Sequence, residues 1–319
     1  MSVPAALSPD TDLSRYAWLS IGAALVTMGM KSVAYVVTGS VGLLSDALES
    51  SVNLVAAIGA LVALRVSIRP ADEEHAFGHA KAEYFAAGAE GGMILFAAVT
   101  IAVAAVDRLL HPGTLEDLGV GVVISGAAAL VNLAVSLVLT RAGRAHRSIT
   151  LEADGKHLMT DVWASGGVVV AIGAVALTGW GVLDPIIALV VAANIVASGV
   201  VLLRRSGRGL MDVSIPDEQL ADVRRVLARH TNADTQFHGV RTRQAGRRAF
   251  MSLHMLVPGR WSVQQSHDLA ERVEADLRGA VPGLTPTIHV EPLEDPRSFA
   301  DVDLDPHDVP PSARPGGRS

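Results

Sequence analysis

The sequence predicts a multi-pass α-helical membrane protein, with six transmembrane helices, carrying a C-terminal cytoplasmic α+β domain. Three observations predict it. Half of the 319 residues are hydrophobic and only 18% are charged, with a mean hydropathy of +0.38, too apolar for an ordinary soluble protein. Apolar runs near the ~20 residues that cross a ~30 Å hydrocarbon core recur along the first two thirds of the chain. After Leu203 the character changes completely, to mixed charge with short amphipathic periods. Ala, Val, Leu and Gly carry the apolar total and aromatics make up only 4%, which suits closely packed transmembrane helices better than a β-rich core.

The candidate spans fall at about 15–37, 41–66, 84–110, 117–140, 153–178 and 183–203. Arg65, Arg69 and Lys81 flank the connection between the second and third spans. Arg141, Arg144 and Arg147 lie between the fourth and fifth, and Arg204, Arg205 and Arg208 follow the sixth. The opposite connections carry almost no basic residues, Arg108 excepted, so the positive-inside rule puts both termini and the basic loops in the cytoplasm. The short turns Thr38-Gly39-Ser40 and Thr178-Gly179-Trp180-Gly181 then lie outside. Residues 1–14 read as an N-terminal cytoplasmic tail and 15–208 as the membrane domain. Met1 to Asp12 is polar and acidic, without the basic and apolar regions of a cleavable signal.

Residues 209–292 read as a compact soluble domain. Pro216 to Thr231 has helical apolar spacing, Phe237 to Gln244 and Ala249 to Val257 read as strands, Ser262 to Ala280 is again helical, and Thr285 to Val290 alternates as a last strand. The order αββαβ implies a small two-layer sandwich. Residues 293–319 are rich in Pro, Asp, Gly and Arg with no apolar period, and are expected to be disordered.

Composition also excludes functions. With no cysteine, the chain has no disulfide, thiolate zinc site or cysteine nucleophile. Its net charge of −6, without a concentrated basic face, argues against nucleic-acid binding.

Ionisable groups inside a bilayer cost roughly 2.5–3.5 kcal/mol each on insertion scales, so each is a candidate for function. Glu49 and Asn53 stand one turn apart in the second span, as His157 and Asp161 do in the fifth. That i, i+4 spacing puts both members of a pair on one helix face. Two facing pairs would form a cage of one imidazole nitrogen and three oxygens, suited to Zn²⁺, Fe²⁺, Co²⁺ or Mn²⁺ rather than soft Cu(I). For either pair alone, a helix–helix hydrogen bond or buried ion pair is an equal reading. The loop after the second span holds Asp72, His75 and His79, an oxygen and two imidazoles that could meet on one cation. In the soluble domain His238, His254, His267, His289 and Glu291 are spread over the strands and second helix, with His289 and Glu291 on one face of the last strand. No local signature such as H-E-x-x-H accompanies them.

These motifs together resemble the cation diffusion facilitator family of divalent-metal/proton antiporters. The resemblance covers about residues 15–292. It rests on the run Thr38 to Ala47, on Pro70 to Glu83, on Asp154-Gly155-Lys156-His157 with Asp161, on Leu210-Met211-Asp212 with Pro216, and on Arg241-Thr242-Arg243. It implies a homodimer in the lipid bilayer with six spans per chain, a metallochaperone-like cytoplasmic αββαβ domain, and export of a divalent metal, zinc first among candidates, against inward protons. A bacterial-type inner membrane would house it. It implies no enzymatic activity and no organic cofactor.

Carried over by position, the transport site is Glu49, Asn53, His157 and Asp161. The loop site is Asp72, His75 and His79, and the dimer-bridging cytoplasmic site is His238, His254, His267, His289 and Glu291. Lys81 and Asp212 correspond to an interfacial salt bridge. The second span departs from the family pattern: relatives usually place Asp or His and then Asp where this chain has Glu49 and Asn53, while Asp46, a possible accessory ligand, is kept one turn earlier.

Overall fold

A computed structural model of the chain describes residues 11–38, 41–111 and 119–299. The chain divides between Leu210 and Met211 into a helical unit and a smaller α/β unit. The turn expected at Gly39 and Ser40, and the tail beyond Phe299, lie outside the described residues.

The helical unit contains α1 (Ser14–Thr38), α2 (Val41–Ser67), α3 (Ala82–Leu110), α4 (Gly119–His146), α5 (Ile149–Thr178) and α6 (Leu183–Leu210). At ~1.5 Å per residue, each is long enough to span a ~30 Å hydrocarbon layer. Among the described residues, Ala82–Leu110, Gly126–His146 and Pro185–Leu210 are both long and apolar enough to cross a membrane by length and composition. Large apolar side chains such as Leu25, Phe85, Phe96, Leu130 and Val190 point outward, the inverse of a soluble bundle and the pattern lipid contact requires. The last three helices run past their apolar windows: α4 continues through Arg141 and Arg144 to His146, α5 begins already at Ile149, and α6 carries Arg204 and Arg205 in helix. Hydropathy reports the depth of the hydrocarbon, whereas the backbone keeps its intrahelical hydrogen bonds beyond it.

Inside the unit α1 packs on α2 and α4, α3 on α6, and α4 on α5. Small residues permit these approaches. A Cβ at Gly155 of α5 would lie 2.5 Å from Thr140 Oγ1 of α4, and one at Gly199 of α6 would lie 2.8 Å from Leu95 of α3. Close backbone approach of this kind is the principal source of helix association where lipid is as apolar as the side chains. The α5 start and the α6 end lie together, because Arg205 forms an ion pair with Glu152.

The smaller unit holds α7 (Asp217–His230), β1 (Gln236–Ala245), β2 (Arg248–Val257), α8 (Val263–Ala280) and β3 (Leu284–Pro292), the αββαβ order that the alternation implies. The sheet order is β1-β2-β3, antiparallel between β1 and β2 and parallel between β2 and β3. Leu220, Val223 and Leu227 of α7 and Val273 and Leu277 of α8 close over Leu253 and Met255 of the sheet. A reciprocal capping box between Ser262 and Gln265 starts α8, satisfying two otherwise orphaned backbone donors.

The expectation of disorder from residue 293 needs correction for its first residues. Pro296–Phe299 forms a short 3-10 helix. Ser298 is buried, and its hydroxyl donates to Pro292 O at 2.9 Å. Composition lacked an apolar period, but one aromatic and one satisfied hydroxyl suffice to dock so short a segment.

Candidate metal centre

In the helical unit the sequence places Asn53 on α2 and His157 and Asp161 one turn apart on α5, and the structure joins all three. Asn53 Nδ2 donates to Asp161 Oδ2 at 2.5 Å, and Asn53 Oδ1 faces His157 Nε2 at 2.8 Å. With the amide nitrogen turned to the carboxylate, the amide oxygen accepts, so His157 donates through Nε2. Asn53 and His157 are buried. Glu49 and Asp46 fall within α2, but their side chains lie outside the described residues. A residue absent from the sequence-derived set completes the cluster: Asn132 of α4, buried, donates Nδ2 to the same Asp161 oxygen at 3.2 Å. An amide inside the apolar run Ala129-Leu130-Val131-Asn132-Leu133 was a signal by the same cost argument that picked out Asn53. Three helices therefore converge on one carboxylate through neutral amides. Such donors hold a half-buried charge in place without cancelling it. The His157 nitrogen and the Asn53 oxygen stand beside that carboxylate.

The loop residues Asp72, His75 and His79 also meet. One Asp72 oxygen accepts from the His75 backbone N–H at 2.7 Å and lies 3.2 Å from His75 Nδ1, while the other lies 3.3 Å from His79 Nε2. Gly78, at φ +78°, provides the left-handed turn that brings His79 back. His79 Nδ1 lies 3.2 Å from Pro70 O; donation to that carbonyl fixes the tautomer and leaves Nε2 as the lone-pair nitrogen facing Asp72. The His75 backbone donor holds the Asp72 carboxyl below the ordinary carboxylate range. One donor atom from each residue lies within 4.8 Å of the others. Contraction to roughly 3.5 Å would match tetrahedral bonds of ~2.1 Å.

The third cluster is a cross-strand ladder. His238 on β1 pairs in register with His254 on β2, which pairs with His289 on β3. The register breaks after His238 at Gly239, whose φ of +63° lets the strand bulge beside the His254 ring. Glu291 reaches all three rings: 3.1 Å to His238 Nε2, 3.3 Å to His254 Nδ1 and 3.6 Å to His289 Nε2. Facing donors from His238, His254 and Glu291 lie within 4.8 Å of one another. His267 is not brought to them within one chain. It is exposed on α8, in electrostatic reach of Glu274 on the same helix. The Phe299 ring stacks on His238 at 6.1 Å and 20°, a neighbour that no motif in the sequence announced.

Of the two residues expected to form an interfacial salt bridge, Lys81 donates to Leu210 O at 3.3 Å in the helical unit. Asp212 accepts from Arg243 at 3.3 Å in the α/β unit.

Two family models describe this chain almost end to end: a cation efflux transmembrane domain over residues 17–211, and the cytoplasmic domain of cation efflux proteins over residues 215–293. The chain belongs to the cation efflux family. The uncharacterized transporter sll1263 of Synechocystis is 50% identical to it over 298 residues, 93% of this chain and 95% of that one. The cation-efflux pump FieF of Shewanella oneidensis is 30% identical over 275 residues, 86% of this chain and 92% of its own. Among solved structures, the metal-bound C-terminal domain of the CzcD transporter from Thermotoga maritima matches a quarter of this chain (25%) and 92% of its own, with 28% identity and a TM-score of 0.23. As a cation diffusion facilitator, this cation efflux protein is a membrane transporter with a cytoplasmic domain, and not an enzyme.

Proposed function

We propose that this cation efflux protein exports a divalent metal, with zinc the best fit, by exchanging it for protons at Asn53, His157 and Asp161, with Glu49 as the fourth ligand. The observation that carries this reading is the hydrogen-bonded run His157–Asn53–Asp161, with His157 and Asn53 buried and Asp161 half-buried. A dication entering there takes the place of both hydrogen bonds, gaining an imidazole nitrogen and two oxygens. The mixed donor set suits a borderline first-row ion. His157 presents Nε2 to Asn53. A neutral ring ligates metal there by carrying its one proton on Nδ1, whereas an imidazolium must give up one proton. Proton–metal competition at the ring and at the Asp161 carboxylate therefore couples the two flows.

In the same reading six helices cross a bacterial-type inner membrane, both termini are cytoplasmic, and two chains form a homodimer. The loop cluster and the histidine ladder would hold further metal ions. In the ladder, Glu291, His238 and His254 supply the donors nearest one another, and a bound ion would favour whichever conformation completes its coordination shell. Exposed His267 suits a ligand offered to a second chain rather than to its own.

The test is zinc uptake by sealed proteoliposomes under an imposed pH gradient. Uptake that follows the gradient and stops in Asp161→Ala supports exchange. Uptake indifferent to the gradient sinks the proton coupling, and none at all sinks the transport reading. An intramembrane metalloenzyme finds no support in the cluster, where the polar groups turn toward one another and, among the described residues, no nucleophile is paired with a base.

A further inference from the structure

A pair of acids outside the hydrogen-bonded cluster above lies in the helical unit. Glu90 of α3 is 2% exposed and Asp154 of α5 is 1% exposed, and the two carboxylates are close enough to interact electrostatically. Neither Glu90 oxygen has a hydrogen-bond partner among the described residues. Asp154 uses one oxygen to accept from Ser20 Oγ of α1, at 3.0 Å, and its other oxygen has no such partner. Among the described residues no Lys or Arg pairs with either acid. Burying a carboxylate without donors or a counter-charge is among the costliest arrangements a protein can hold. Two such acids in electrostatic reach of each other are relieved by protons or by a cation, and a dication satisfies both at once.

Their position says which occupant fits. Thr150, Asp154, His157 and Asp161 follow the i, i+4, i+7, i+11 spacing of one face of α5, so the acid pair adjoins His157, with which Asp154 interacts electrostatically. Asp154 stands about 4.5 Å along the axis from His157 and about 10 Å from Asp161, at ~1.5 Å per residue. It lies toward the start of α5. That end adjoins the end of α6 through the Glu152–Arg205 pair, and α6 leads directly into the cytoplasmic domain. A cation from the cytoplasmic side therefore meets the acid pair before His157 and Asp161.

Resting on the transport reading above, we infer that Glu90 and Asp154 form a staging site for the transported divalent cation, one step on the cytoplasmic side of the main cluster. The donors are oxygen only, so the site holds a partly dehydrated dication less tightly than a cluster containing imidazole. Its two charges balance those of the ion. Occupancy there offsets the dehydration cost part-way and leaves the final transfer downhill. Asp161, His157 and Asn53 then complete the shell.

The test is the zinc-concentration dependence of initial uptake by full-length protein in proteoliposomes, at fixed pH gradient, for the parent, Glu90→Gln and Glu90→Asp. The expected result for Glu90→Gln is a half-saturating zinc concentration raised on the order of tenfold, ~1.4 kcal/mol, with the maximal rate retained and Glu90→Asp between it and the parent. Unchanged half-saturation in Glu90→Gln overturns the staging site, whether the maximal rate falls or only the proton dependence moves; the latter outcome assigns the pair to protons. Should Glu90→Gln fail to fold, Asp154→Asn is read by the same criteria. Failure of the parent to transport zinc at all would instead defeat the transport reading, so the two failures are distinguishable.

Discussion

Asn132 of α4 and Asn53 of α2 donate to the same oxygen of Asp161, at 3.2 and 2.5 Å. One carboxylate oxygen thus accepts from two neutral donors, which aim Asp161. Asn132→Leu removes one donor at nearly constant volume. Loss of a hydrogen bond to a charged group costs about 1.5–3 kcal/mol, so zinc transport at limiting metal should drop by an order of magnitude, more or less, with the dimer intact. Initial uptake rates compared with the parent check this, and a variant at the parental rate would show that α4 takes no part.

In the loop cluster Asp72 stands within 3.3 Å of both imidazoles and is itself held by the His75 backbone N–H. Its carboxyl lies below the ordinary range, so the stabilisation it gives the loop is present above the unfolded pKa of ~3.9 and is lost only as pH falls through the lower folded value. It therefore remains an ionised ligand through neutral pH. Asp72→Asn should reduce bound zinc by one ion per protomer in equilibrium dialysis while transport continues, and His75→Ala or His79→Ala should do the same. Loss of transport in all three would move the loop from an accessory to an obligatory role.

Glu291 lies within 3.6 Å of His238, His254 and His289 alike, so one carboxylate ties the three rings together. Zinc that binds only the folded form raises stability by RT ln(1 + [L]/Kd), about 2.7 kcal/mol at a hundredfold excess over Kd. Glu291→Gln should therefore erase the zinc-induced rise in thermal stability of the cytoplasmic domain more completely than His289→Ala, the most exposed of the three rings. Differential scanning calorimetry of the full-length variants with and without zinc gives the comparison. Equal losses in both variants would mean that Glu291 is not the hub.

The elements were legible because each follows from a period: apolar runs gave the long helices, and alternation gave αββαβ. Asn53, His157 and Asp161 were legible because i, i+4 spacing fixes a shared helix face. What lay beyond reach was everything set by register between elements. Nothing in the spacing of His238, His254 and His289 states that they stand opposite one another across three strands, nor that His267 is left on the outside of α8. Asn132 and Glu90 are a different kind of omission. Both are single polar residues in apolar helices, visible by bilayer cost alone, and a search for ligand pairs passes over them because their partners sit on other helices.

The sharpest consequence concerns Asn53→Asp. In the parent, the Asn53 amide donates to Asp161 and accepts from His157, so it reconciles an anion with a proton donor. An aspartate there keeps the acceptor facing His157 but turns a second carboxylate oxygen toward Asp161 at hydrogen-bonding distance. Like charges so close in a poorly solvated site cannot both stand uncompensated; a proton or a dication must lie between them. At alkaline pH, where protons are scarce, the added charge should bind zinc more tightly and release it more slowly. At acidic pH a proton occupies the same place, so apparent affinity should fall more steeply with decreasing pH than in the parent. Apparent zinc affinity in proteoliposomes between about pH 6 and 8, the range that brackets an ordinary imidazole, reads both effects. Crossing curves are expected. Parallel curves would mean that position 53 does not face the metal, leaving Asn53 as a clamp for Asp161 and shifting the second-helix ligand to Glu49 or Asp46.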